Sequence, residues 1–112
     1  MKPESRQILA ECLKRQNAIA AAEPPPQWRW WDVQARDEQL RFGPAYAVTA
    51  WFGDVEEHIR VRLRRAIASL ERGDLLVVHR KHGLRLSNVR LTEAGIALAE
   101  SLLPQSDAEN PK

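Results

Sequence analysis

IRVRLRRAIASLERGDLLVVHRKHGLRLSNVRLTEAGIALAESLL, residues 59–103, decides the fold. Ile59, Leu63, Ala66, Ile67 and Leu70 fall within one face of a helical wheel. Val61, Arg64, Arg65, Ala68 and Arg72 lie opposite them, and Arg60 and Arg62 flank the two faces. The spacing thus predicts a helix with one core side and one cationic side. Gly73 supplies a left-handed stop, and the aliphatic, β-branched run Leu75–Val78 predicts a strand. A turn over Lys81, His82 and Gly83 leads to a second strand, roughly Leu84–Leu91, with Leu84, Leu86, Val89 and Leu91 available to pack inward. Thr92 is a suitable N-cap and Glu93 suits the positive end of a helix dipole. Ile96, Ala99, Leu102 and Leu103 give the last helix an apolar side before Pro104 breaks it. The order is helix, basic hairpin, helix.

Charge is concentrated in the same place. The chain carries 17 Lys and Arg against 15 Asp and Glu. Residues 58–91 hold nine basic and two acidic side chains, a net +7, whereas residues 1–57 sum to −2 and residues 92–112 to −3. All three histidines, His58, His79 and His82, lie in that basic third. Such a patch implies a polyanionic partner. A membrane surface fits less well, because no lipid-inserting aromatic stripe accompanies the charge.

Upstream, Ile8, Leu9, Cys12, Leu13 and Ile19 predict a first helix over residues 4–22 behind Pro3. Pro24, Pro25 and Pro26 end it, since none can donate a helical hydrogen bond. Residues 27–42 hold Trp28, Trp30 and Trp31 among charged residues with no clear period. These tryptophans are candidates for anchoring the first helix, for a dimer or partner surface, or for an aromatic ligand; burial of area is the favoured use. A short helix is expected over Pro44–Phe52, with proline in its first turn. Gly53 stops it, and Asp54 with Glu57 resembles a capping box for the basic helix. That helix starts at Val55 or, after a turn, at Ile59; the sequence leaves both open.

With 112 residues, 44% hydrophobic and 29% charged, the chain has enough apolar surface for one modest core, so one folded domain is expected rather than disorder. A single cysteine, Cys12, excludes an internal disulfide framework and a cysteine-based zinc finger; it is expected as a small buried residue. The start MKPESRQ lacks the features of a signal peptide, and no apolar run approaches the roughly 18 residues of a membrane span. A cytoplasmic protein is expected. No Gly-rich phosphate loop, GxSxG or HExxH occurs, and the histidines lack a completing ligand pattern. Enzymatic activity, a metal and a cofactor are therefore not expected.

RRAIASLERGDLL, residues 64–76, and RLTEAGIALAE, residues 90–100, resemble two motifs of winged helix-turn-helix domains related to the MarR and PadR families of transcriptional regulators. The first looks like the end of a recognition helix, the second like the LTE-x-G start of the final helix, and the gap between them is the size of a basic wing. The resemblance covers about the last sixty residues. It implies an α+β, mainly helical fold: one winged-helix domain over residues 1–104, with helix-turn-helix 44–72, wing 75–91 and last helix 93–103, then a disordered tail over 105–112. It also implies sequence-specific binding of double-stranded DNA; a homodimer is expected because a short domain with one recognition helix gains affinity and site length by pairing, with the first helix, the last helix and the tryptophans as candidate surfaces.

A major groove admits one α-helix, and arginine can bond two acceptors at once. Arg60, Val61, Arg62, Arg64 and Arg65 are therefore the candidate readers. Arg80, Lys81, His82 and Arg85 are candidates for the sugar-phosphate backbone or the adjacent minor groove. A winged-helix module that binds a protein partner through the tryptophans stands as the alternative, as does a plasmid or phage replication or partition protein.

Overall fold

The computed structural model describes residues 1–23, 29–83 and 85–102. Its elements are α1 (Pro3–Ala21), α2 (Trp30–Phe42), α3 (Val48–Phe52), α4 (Glu57–Arg72), β1 (Leu76–Lys81), β2 (Arg85–Leu91) and α5 (Glu93–Leu102). The fold is α+β and mainly helical, with one antiparallel hairpin followed by a closing helix. Expectations for Pro24–Pro26, Trp28, Leu84, Leu103 and the tail lie outside the described residues.

α4 forms as its spacing predicts: Leu63, Ala66, Ile67 and Leu70 are buried, while Arg64, Arg65 and Arg72 are exposed. Against the buried face pack Ile8, Leu9, Cys12 and Leu13 of α1, Trp51 of α3, Leu76, Val89 and Leu91 of the hairpin, and Ala99 of α5. Each fully buried Leu or Ile contributes about 1.5–3 kcal/mol, so this single cluster dominates the stability. Polar ties fix its periphery. The Arg15 Nη2 of α1 donates to the Ala50 carbonyl at 2.8 Å, with its guanidinium 5.2 Å from the Trp51 ring centre. Gln16 Oε1 accepts the Leu91 N–H at 2.6 Å.

The hairpin pairs Leu76 with Leu91 through His79 with Asn88, then shifts register at a bulge so that Arg80 faces Leu86 and Lys81 faces Arg85. The other edge of β2 is also occupied. Tyr46 N–H donates to the Ser87 carbonyl at 2.9 Å, and Val89 N–H donates to the Pro44 carbonyl at 3.2 Å. Pro44–Tyr46 is thus extended backbone beside β2 rather than the expected first helical turn, and α3 begins only at Val48. Gly43 permits this approach. Its φ is +94°, and a Cβ there would overlap the Val89 carbonyl oxygen, while the buried Asn88 amide donates to the Gly43 carbonyl at 2.8 Å. At the hairpin's root Thr92 caps α5 as expected, Oγ1 accepting the Gly95 N–H at 3.0 Å and donating to the Asp74 carbonyl at 2.8 Å.

Three local expectations are corrected. α4 starts at Glu57, between the two starts left open, and its N-cap Glu56 makes no side-chain cap bond, so Asp54 and Glu57 form no capping box. Gly73 has φ −82°; the left-handed residue is Asp74, with φ 62°, a conformation aspartate tolerates better than most. Residues 30–42 form a full helix, although the sequence has no clear period there. None of its residues is buried. α2 is held instead by polar and stacking contacts. Arg36 Nη2 donates at 2.6 Å to the Ala22 carbonyl at the α1 C-terminus, where a cation also complements the helix dipole. Gln39 Oε1 accepts the Ala45 N–H at 3.2 Å, and the Phe42 ring stacks on His79 at 3.8 Å.

Candidate nucleic-acid interface

The candidate readers divide by their partners. A helix that buries one face must present the other to solvent, and on α4 that face carries Arg64 and Arg65, both exposed and without a carboxylate partner among the described residues. Arg60 Nε lies 3.8 Å from Glu57 one turn back, and Arg62 Nη1 lies 3.7 Å from Glu4 at the start of α1. Both pairs are long and leave the guanidinium accessible. Val61 is half-buried between these flanks. Tyr46 belongs to the same surroundings and was missed in the sequence: burial pushes its phenol upward, and the positive charges of Arg60 and Arg64 oppose that shift. Only the extended path of Pro44–Tyr46 brings it there, so no local signal marks it.

On the hairpin the cations are more firmly engaged. Arg80 makes a two-pronged bond to Glu71 in the last turn of α4, at 3.0 and 3.1 Å. That bond holds the Glu71 carboxyl below its ordinary value and raises the Arg80 guanidinium. Lys81 Nζ sits 2.6 Å from Glu38 of α2. Exposed pairs of this kind contribute about 0.2–1 kcal/mol each, enough to orient two side chains. His82 and Arg85 are exposed at the tip, where His82 and Gly83 have φ of 50° and 85°. The nine candidates therefore comprise Arg64, Arg65 and Arg85, unpaired among the described residues, the loosely paired Arg60 and Arg62, the firmly paired Arg80 and Lys81, and Val61 and His82.

The remaining reactive side chains have local roles. His58 Nδ1 lies 3.3 Å from Glu56, and His79 is the platform under Phe42. No group of three His, Cys, Asp or Glu gathers in ligating positions among the described residues. Cys12 is fully buried, and burial pushes its thiol up to about 12, which removes thiolate at neutral pH.

Trp30 and Trp31 are not core. Trp30 is 70% and Trp31 47% exposed, edge to face at 5.6 Å, with the Arg29 guanidinium 5.1 Å from the Trp31 ring centre. Val33 and Leu40 of the same helix are also exposed. Trp30, Val33 and Leu40 share a helical spacing, but the charged residues between them leave no clear period in the sequence. Among the described residues no helix is long and apolar enough to cross a membrane. No family model, curated protein or solved structure matches the chain.

Proposed function

We propose that this chain is a winged helix-turn-helix protein that binds double-stranded DNA in a sequence-specific manner and acts as a transcriptional regulator. The observation that carries the reading is the outer face of α4, where Arg64 and Arg65 stand exposed, without a carboxylate partner among the described residues, on the helix whose opposite face is the centre of the core. A helix of roughly 10–12 Å diameter fits a major groove about 12 Å wide. Two further features support the reading: the short α3, tight turn and long α4 run in helix-turn-helix order, and Pro44–Tyr46 adds a third backbone segment beside the hairpin.

In this reading Arg64, Arg65 and Val61 meet base edges and the groove walls. Arg60 and Arg62 exchange their long carboxylate contacts for phosphates, and Arg85 with His82 reaches the backbone or minor groove from the wing tip. Arg80 and Lys81 aim the wing. Selection of bound duplexes from a random pool tests the proposal. An enriched motif whose binding falls sharply on Arg64→Ala or Arg65→Ala is expected; no enrichment, and no binding to any duplex at low salt, refutes it.

A further inference from the structure

We infer that Tyr46 is a DNA-backbone contact: its hydroxyl donates to a phosphate oxygen on the strand that runs from the outer face of α4 to the tip of the hairpin. The inference rests on the DNA-binding reading above and adds to it a residue outside both the basic helix and the hairpin. Tyr46 stands where those two surfaces meet. On one side its phenol lies in the field of Arg60 and Arg64 of α4. On the other it lines a cleft of about 410 Å³ whose hairpin wall carries Lys81, His82 and Arg85. A phosphodiester chain in contact with both surfaces crosses the ground between them, and Tyr46 occupies that ground.

Backbone and ring are both fixed in advance. The Tyr46 N–H donates to the Ser87 carbonyl at 2.9 Å, and the Ala45 N–H before it donates to Gln39 at 3.2 Å. The ring packs edge to face on Trp51 with centres 4.9 Å apart, and Trp51 Nε1 donates to the Ala45 carbonyl at 2.9 Å. Little side-chain entropy is therefore lost when a ligand meets this group. The hydroxyl is left over. Among the described residues it has no hydrogen-bond partner, and it is not sealed from solvent.

The surroundings select the ligand. Arg60, Arg64 and Arg85 supply positive charge, whereas Glu38, the carboxylate on the α2 wall of the cleft, is already engaged by Lys81 at 2.6 Å. An anionic acceptor is favoured there over a neutral one, and a phenol O–H suits a phosphate oxygen. One donor cannot make the paired bonds by which a base edge is read, so Tyr46 strengthens binding without choosing sequence. The phenol is uncharged at neutral pH, so its contact releases no counterion. That property separates it from the arginines assigned to DNA.

Tyr46→Phe tests the inference, because it keeps the ring on Trp51 and removes only the oxygen; the melting temperature is expected to stay at the wild-type value. Affinity for duplex DNA is expected to fall about tenfold, equally on a selected motif and on unrelated duplexes, with the slope of log K against log salt unchanged. Arg64→Ala, by contrast, flattens that slope by about 0.9. The chain holds one tyrosine, so meta-fluorotyrosine gives a single fluorine NMR signal, expected to shift when duplex is added. Four results overturn the inference: wild-type affinity in Tyr46→Phe, a loss confined to one base position of the motif, a flattened slope, or a fluorine signal unmoved by bound duplex. If the wild type binds no duplex at low salt, the DNA reading falls and this inference with it. If Arg64→Ala weakens binding and Tyr46→Phe does not, only the role of Tyr46 falls.

Discussion

Replacing Glu71 by glutamine should make DNA binding steeper in salt, because it releases a cation that the fold holds back. Each phosphate neutralised on duplex DNA contributes about −0.9 to the slope of log K against log salt. Among the described residues Arg64, Arg65 and Arg85 have no carboxylate partner, and Arg60 and Arg62 sit on carboxylates at 3.8 and 3.7 Å. These five give an expected slope of about −4.5 per protomer, a loss of roughly 500-fold in affinity from about 50 to about 200 mM salt. Arg80 is excluded from that sum because Glu71 binds both of its terminal nitrogens. In Glu71→Gln it becomes available, and the slope should move to about −5.4. Adding Arg80→Ala to Glu71→Gln should return it to the wild-type value, which separates a released cation from a lost repulsion. Fluorescence anisotropy of a labelled duplex across a salt series, normalised by measured stoichiometry, reads all three proteins. An unchanged slope in Glu71→Gln, with affinity altered or not, would refute the sequestering role given to Glu71.

Gly43→Ala places a Cβ on the Val89 carbonyl oxygen at a φ of +94°. It should cost about 2–4 kcal/mol and lower the melting temperature by roughly 10 °C, measured by thermal circular dichroism. Glu71 in the folded protein lies below its ordinary value of 4.5, so its contribution to stability is present above that pH and is lost as pH falls through the folded value. Urea titrations should therefore show a small gap between wild type and Glu71→Gln at neutral pH that closes in acid. Cys12, buried and with its thiol near 12, should resist thiol reagents in the native state. Its modification should follow the global unfolding rate rather than reagent concentration.

What was legible in the sequence follows from where each element gets its stability. α4, α1 and the hairpin bury apolar stripes, and a stripe is a local pattern: Leu63, Ala66, Ile67 and Leu70 could be placed on one face from spacing alone. Thr92 was legible for the same reason, since a cap acts within its own turn. α2 was not, because its support comes from Ala22, Ala45 and His79 elsewhere in the chain. Pro44 misled through a preference that is true of isolated helices and is outweighed here by pairing with Val89. The basic patch was visible as composition, but its division into free and engaged cations was not. Glu38 and Glu4 lie some 40 and 60 residues from the cations they meet.

The hairpin is fixed at its root by Thr92 and part way along by the Arg80 and Lys81 pairs, whereas a Cβ added to Gly83 at the tip would meet no atom within 4 Å. Its reach is therefore decoupled from its anchorage. Residues inserted between His82 and Gly83 would lengthen the arm without touching the core, so footprint on a bound polymer becomes a property that can be varied, in evolution or by design, at almost no expense to folding.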